Sequence, residues 1–299
     1  MRVGMVGLGV MGAPMARRLA AAGFEVVGYN RSAAKAAAIE RDLGMRVASS
    51  PREVAEETDV VMSMVADDRA VREVAVGDAG ILAGLRTGQA WVDFSTISPQ
   101  LSVELGHATA ARGSQRIEAP VSGSVPAVES GTLVILVGGD EAALASVEGV
   151  LRHLGRIEKI GGLGQALAFK LALNLSIPVQ LLGFAEGLAI AERTGLGRDV
   201  AIEPMLGTVL ASPMLKYRIP FVQEPPEQPW FTTEMMLKDV DLALAEARRL
   251  GVEAPLTLQA GDLLRAAARR GFGQQEVASV VRMVEEMAGL DVAARPERT

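Results

Sequence analysis

The chain has 299 residues, a net charge of −6, 49% hydrophobic residues and no cysteine. That length holds two domains or one large one, and the apolar share supplies a substantial core, so a disordered chain is excluded. The missing cysteines rule out disulfides, thiolate metal sites and cysteine nucleophiles, and an acidic balance without a basic run argues against nucleic acid as the main partner.

In chain order, short apolar runs alternate with helical patterns through the first half. The predicted strands are Arg2–Val6, Glu25–Tyr29, Val60–Met64, Trp91–Asp93, Arg116–Ala119, Leu133–Val137 and Arg156–Ile160. Between them lie predicted helices, including Met11–Ala22, Ala33–Leu43, Pro99–Arg112 and Glu141–Leu154. This alternation predicts an α/β fold with a mostly parallel, doubly wound Rossmann-type sheet.

After Gly161-Gly162-Leu163-Gly164 the strand patterns stop. Long helical patterns follow at about 165–194, 199–210, 231–250, 255–270 and 274–287. Two domains are therefore expected, 1–162 and an all-helical 163–299. Pro178 falls inside the first long helix and should kink it. The run Glu224-Pro225-Pro226-Glu227-Gln228-Pro229 reads as a loop. The tail after Leu290 is polar and expected to fray.

No signal-peptide pattern precedes the first strand. The apolar stretch from Leu171 to Ile190 is interrupted by Asn174, Ser176, Pro178, Gln180 and Glu186, so it reads as a buried helix and not a membrane span. A soluble, cytoplasmic protein is expected. His107 and His153 are the two histidines and share no metal-ligand spacing, so neither a histidine metal site nor a Ser-His-Asp triad is expected.

Gly7-Leu8-Gly9-Val10-Met11-Gly12 is a G-x-G-x-x-G that leaves a strand and opens a helix at the start of a βαβ unit. In that context it reads as a dinucleotide-binding turn. Gly7 permits the tight turn, Gly9 lets the backbone approach a pyrophosphate, and Gly12 allows close helix packing. The helix N-terminus then presents N–H groups and a favourable dipole to the anion. The second strand ends at Asn30-Arg31-Ser32, where an NAD-preferring site usually places an acid for the ribose 2′-hydroxyl. A guanidinium and a hydroxyl suit a 2′-phosphate instead, so NADP(H) is predicted; Arg31 as a solvated surface charge is the competing reading. Met64 and Val65, at the end of the Val60–Met64 strand, join the cofactor-binding set.

Lysine occurs only at positions 35, 159, 170, 216 and 238. Lys170 is the one charge in Gln165–Asn174, and Asn174 lies one helical turn further on the same face. An ammonium in such an apolar stretch costs free energy unless paired or deprotonated. On pattern alone, Lys170 reads either as a proton donor to a carbonyl oxygen or as a snorkelling surface lysine.

With these residues in view, the chain resembles the β-hydroxyacid dehydrogenase family, which includes 3-hydroxyisobutyrate dehydrogenases and tartronate semialdehyde reductases. The matching motifs are Gly7–Gly12 running into Pro14-Met15-Ala16, Asp93-Phe94-Ser95-Thr96, Ala119-Pro120-Val121-Ser122-Gly123, Lys170 with Asn174, and Lys238-Asp239. They span nearly the whole chain in the family's order. The resemblance implies that Lys170 is the general acid in reduction and the base in oxidation. Ser122 and Gly123 would hold the substrate carboxylate, Thr96 would sit by the nicotinamide ribose, and Asn174 would position Lys170 and substrate. Lys238 would touch the cofactor from the helical domain.

Within the family the chain looks most like the glyoxylate and succinic semialdehyde reductases, through Ser122-Gly123-Ser124, Pro126-Ala127, Gly131-Thr132-Leu133, Ser212-Pro213-Met214 and the spacing from Phe231 to Lys238. Phe231 is carried over as a residue near the nicotinamide; a plain core aromatic is its competing reading. Val125, Val65-Ala66 and Val128-Glu129-Ser130 depart from that group's pattern and bear on the substrate. The expected activity is NADP(H)-dependent interconversion of a small, carboxylate-bearing aldehyde and its hydroxy acid. A 3-hydroxyisobutyrate-type dehydrogenase, an imine reductase and a non-catalytic NADP-binding protein are the alternatives; Lys170 counts against the last two. The apolar helical half suggests a homodimer or homotetramer.

Overall fold

The computed structural model describes residues 1–290, so the expected frayed tail lies outside the described residues. The chain forms two compact units, Met1–Leu171 and a second beginning at Ala172. The strands end near Gly161, as the composition break suggests, but the first turns of the next helix belong with the first unit. Glu118, on a strand of that unit, bonds to the N–H groups that open this helix.

The first unit is built on nine strands: β1 Arg2–Val6, β2 Glu25–Tyr29, β3 Arg46–Val47, β4 Val60–Ser63, β5 Ala90–Asp93, β6 Gln115–Glu118, β7 Val121–Ser122, β8 Leu133–Gly139 and β9 Gly155–Gly161. Their order is β3-β2-β1-β4-β5-β6-β8-β7, with β9 also on β8. Strands β1 to β6 pair in parallel; β8 runs antiparallel to β6 and β7 and parallel to β9. All seven predicted strands are present. The two that sequence reading did not find, β3 and β7, are two residues each, too short to show any alternation.

Both sheet faces are covered, as a parallel sheet requires. Val3, Met5, Met62 and Val92 pack with Met15, Leu19, Leu144 and Val147 on one side. Val6, Val61 and Trp91 pack with Val54, Val71, Leu101 and Leu105 on the other. Most longer helices of this unit carry a side-chain cap. Ser32, Ser50, Asp67, Ser98 and Asp140 each accept an N–H from the first turn that follows them. The helix Gly12–Ala21, which leaves the glycine turn, has no such bond.

The second unit is helical, with Ser176–Arg193, Arg198–Gly207, Pro213–Arg218, Thr233–Leu250, Pro255–Ala267 and Val280–Met287 as its α-helices. Its core includes Leu181, Leu188, Met236, Val240, Leu264 and Val281. The single long helix expected over 165–194 is in fact two, Gln165–Asn174 and Ser176–Arg193, parting at Leu175. Pro178 explains the break, since its ring crowds the carbonyl four residues back, on Asn174, and it has no N–H to offer there. The expectation of a buried helix holds for one face only. Leu181, Leu182, Phe184, Ala185 and Leu188 are buried, whereas Leu173 is 40% and Ile190 69% exposed. By length and composition alone the run Gln165–Arg193 could cross a membrane.

Candidate active site

Strands β1, β2, β4 and β5 are parallel neighbours, so the residues that follow them gather at one edge of the sheet. Strand order reverses between β1 and β4. In open α/β sheets, ligands bind outside the carboxyl ends at such a reversal.

The glycine turn sits there, and its three glycines have three different reasons. Gly7 has φ +98°, and a Cβ on it would lie 2.3 Å from the Met64 carbonyl oxygen at the end of β4. A Cβ on Gly12 would lie 1.9 Å from the Gly7 carbonyl oxygen. The close packing expected at Gly12 is therefore of the helix start against the turn itself. A Cβ on Gly9 would meet nothing within 4 Å, so the backbone there borders open space. Leu8 and Val10 differ, with the Leu8 side chain buried in the core and Val10 42% exposed. The Leu8 side chain is thus out of reach of a ligand.

The end of β2 ties into the same turn. Leu8 N–H donates to Asn30 Oδ1 at 3.2 Å, and Asn30 Nδ2 donates to the Ser32 carbonyl at 3.3 Å. Ser32 itself caps the helix Ala33–Leu43. The Arg31 side chain is 84% exposed and reaches Glu73 Oε2 at 3.4 Å, a carboxylate that also holds Arg69 at 2.8 Å. Its guanidinium is loosely engaged, on the residue that follows Asn30.

Beneath the ends of β4 and β5 lies a buried polar network that sequence reading missed. Asp93 Oδ1 accepts from Ser63 Oγ at 2.8 Å and from Ser95 N–H at 3.1 Å. Trp91 Nε1 donates to Ser63 Oγ at 2.8 Å, and Val65 N–H donates to Ser95 Oγ at 3.0 Å. Asp93 Oδ2 holds Arg116 Nη2 at 2.6 Å, with both side chains almost wholly buried, and the guanidinium stacks 4.1 Å over Trp91. The network fixes the segments carrying Met64, Val65 and Thr96. The one signal in the sequence was charge inside strands, Asp93 in the otherwise apolar β5 and Arg116 in β6.

Ser122 ends β7 and is exposed. Gly123 has φ +130°, and a Cβ there would meet Leu133 Cδ2 at 2.8 Å and Ala127 Cβ at 2.9 Å, so only glycine fits. Lys170, 9% exposed, lies in the helix Gln165–Asn174, and Asn174 follows one turn later. Most of the Lys170 side chain is thus buried.

In the second unit, Asn174 Nδ2 donates to Asp239 Oδ2 at 2.6 Å, and Lys238 Nζ stands 2.8 Å from Asp239 Oδ1. Asp239 is 2% exposed and joins two predicted site residues. Phe231 is held by its backbone, its N–H donating to Glu276 Oε2 at 3.0 Å and its carbonyl accepting from Val277 N–H at 2.9 Å. Its ring is half-buried, 5.6 Å from the Arg218 guanidinium. Glu276 also pairs with Arg218. Burial pushes the Glu276 carboxyl up, against the pull of Arg218 and of the Phe231 and Trp230 N–H groups.

Residues 2–164 match the family described as the NAD binding domain of 6-phosphogluconate dehydrogenase. Residues 164–284 match the NAD-binding domain of NADP-dependent 3-hydroxyisobutyrate dehydrogenase. Glyoxylate/succinic semialdehyde reductase 1 of Arabidopsis thaliana is 30% identical, over 95% of this chain and 99% of its own length. The chain belongs to the β-hydroxyacid dehydrogenase family. The solved 3-hydroxyisobutyrate dehydrogenase of Salmonella typhimurium superposes with a TM-score of 0.87 at 27% identity, over 95% of this chain and 99% of that one. A structure described as Psf3 in complex with NADP+ and 2-OPP gives 0.85 at 26% identity, over 94% and 99%.

As a member of this family, the protein is an NAD(P)-dependent hydroxyacid dehydrogenase. The first unit fits a dinucleotide on its own geometry. Open space at Gly9 leaves room for a pyrophosphate, and the helix that starts at Gly12 has no side chain occupying its N–H groups.

Proposed function

We propose that this β-hydroxyacid dehydrogenase uses NADPH to reduce a small aldehyde acid, of the glyoxylate or succinic semialdehyde type, to its hydroxy acid. The observation that carries the reading is Lys170, buried in an otherwise apolar helix with Asn174 one turn away. A titratable side chain held inside such a helix points to a chemical use. The likeness to a plant reductase named for these two substrates supports the substrate class. The exposed Arg31, next in the chain to the Asn30 that binds the glycine turn, with no acid at the end of β2, supports a 2′-phosphate.

When bound, the nicotinamide supplies the hydride. The Gly123 N–H and Ser122 hydroxyl hold the substrate carboxylate and set the carbonyl's orientation. The Lys170 ammonium hydrogen-bonds the carbonyl oxygen and releases its proton as negative charge develops there. In oxidation the neutral amine takes that proton back. Asn174, fixed by Asp239, orients the substrate oxygen or the amine.

The test is NADPH oxidation with glyoxylate, succinic semialdehyde, tartronate semialdehyde and methylmalonate semialdehyde, repeated with NADH. Lys170→Ala should lower kcat by about 10²- to 10⁴-fold with NADPH still bound. Near-wild-type turnover in that variant would remove Lys170 from the chemistry. Exposed Ile190, Val200, Val209 and Leu210 support a homodimer or homotetramer; a monomer in analytical ultracentrifugation would argue against it.

A further inference from the structure

Glu118 ends β6 and is fully buried, at 0% exposure. It has four donors. Oε2 accepts from Ser102 Oγ at 2.6 Å and from Gly164 N–H at 2.7 Å. Oε1 accepts from Ala166 N–H at 2.8 Å and from Leu167 N–H at 3.1 Å. Three of these donors open the helix Gln165–Asn174, which carries Lys170. All of these residues lie in the first unit.

A helix start leaves its first N–H groups without intrahelical partners, and they are usually satisfied by a Ser, Thr, Asp or Asn at the cap. Here Gly162-Leu163-Gly164 precedes the helix and offers no such side chain. Glu118 takes that role from another element, 46 residues away along the chain. Its negative charge also meets the positive end of the helix dipole.

The surroundings are shaped to admit this carboxylate. A Cβ on Gly138 would lie 2.7 Å from Glu118 Oε1 and 2.7 Å from the Gly162 carbonyl oxygen. A Cβ on Gly106 would meet Leu163 Cδ1 at 2.3 Å, so the helix entry is seated closely against the Ser102 helix as well. Two glycines thus make room for one anchored helix start.

Lys170 lies three and four residues beyond Leu167 and Ala166, on the turn directly above the anchored N–H groups. Its Cα is about 6 Å along the axis from that of Ala166. In the other direction, Glu118 is followed by Ala119 and Pro120 and then by β7, which ends in Ser122. One carboxylate therefore joins the strand that leads to the Ser122–Gly123 turn to the helix that carries the lysine.

We propose that Glu118 is a positioning residue that sets the axial position and rotation of the Lys170 helix relative to the Ser122–Gly123 turn. The proposal rests on the reading of Lys170 as the proton donor. Proton transfer tolerates little misplacement, and an error of about 1 Å can cost about 100-fold in rate. Glutamine in place of Glu118 accepts through one atom only. Its NH2 then faces either the Gly164 N–H or the Ala166 and Leu167 N–H groups, so the helix start loses an anchor on one side.

The test is a mutant cycle on the full chain with Glu118→Gln, Lys170→Ala and the double variant, read as kcat, substrate KM and NADPH Kd. Glu118→Gln should lower kcat by about 10- to 100-fold, change KM less, and leave NADPH Kd within about twofold. In the Lys170→Ala background the same change should lower the residual rate by less than about twofold, because the group it positions is gone. An equal fold-loss in both backgrounds would overturn the proposal, as would unchanged kcat in Glu118→Gln or loss of NADPH binding with turnover. Near-wild-type turnover in Lys170→Ala would overturn the lysine reading and this proposal together. Failure of Glu118 alone leaves the lysine reading standing. Should Glu118→Gln not fold, Ser102→Ala removes one of the four donors and keeps the carboxylate. It should lower kcat about threefold in the wild-type background and not at all with Lys170→Ala; equal losses in both would overturn the proposal.

Discussion

The glycine turn allows a prediction in which two similar substitutions fail in opposite ways. Consider Gly9→Ala beside Gly12→Ala. At Gly12 the new Cβ would stand 1.9 Å from the Gly7 carbonyl oxygen. Nonbonded heavy atoms normally keep about 3.5 Å, so the overlap is about 1.6 Å. Backbone lies on both sides, and relief requires the helix Gly12–Ala21 to move off the turn. Overpacking of this kind costs about 1–3 kcal/mol, or a fall of roughly 2–12 °C in Tm for a unit of this size. At Gly9 the Cβ would meet nothing within 4 Å, and Gly9 is not among the positive-φ glycines. The free protein should therefore keep its Tm, or gain slightly as the unfolded chain loses freedom. The methyl would instead enter the space read as the pyrophosphate's, and NADPH Kd should rise at least about tenfold, or about 1.4 kcal/mol. Differential scanning fluorimetry without ligand and fluorescence titration with NADPH separate the two effects. A Gly9→Ala protein that binds NADPH like wild type would refute the placement of the pyrophosphate. One that melts as early as Gly12→Ala would refute the open-space argument.

Arg31→Ala should leave Tm unchanged, since its ion pair with Glu73 is long and exposed. It should raise NADPH Kd about tenfold without affecting NADH, as titration with both cofactors would show; equal losses for both would place the 2′-phosphate elsewhere. Arg116→Met strips the buried Asp93 of its cation and should destabilise the first unit by about 3–5 kcal/mol. Urea unfolding measures that cost, and a loss below about 1 kcal/mol would mean that Ser63 and Ser95 satisfy the carboxylate unaided.

What could be read without coordinates was what depends on near neighbours in the chain. The strands β1 and β2 and the helix Ala33–Leu43 match their predicted bounds because apolar runs, caps and glycines are local signals. The glycine turn was legible for the same reason, its strand, turn and helix being contiguous. Lys170 stood out as a lone charge in an apolar stretch, though its burial did not follow from the pattern.

The rest depended on partners far away in sequence. Asp93 and Arg116 are 23 residues apart, and Glu118 meets donors 16, 46, 48 and 49 residues off. A charged residue in a strand reads the same whether it faces water or a buried partner, because composition carries no distances. Likewise Asn174 and Asp239 are 65 residues apart, and their bond appears only when the helices of the second unit pack. The sequence by itself determined most of the elements, though not β3, β7 or the break at Leu175, together with the dinucleotide turn and the candidate lysine, all of them local signals. Only the tertiary structure decided which buried charges are paired and what anchors the lysine's helix, because burial and pairing are properties of contacts between distant segments.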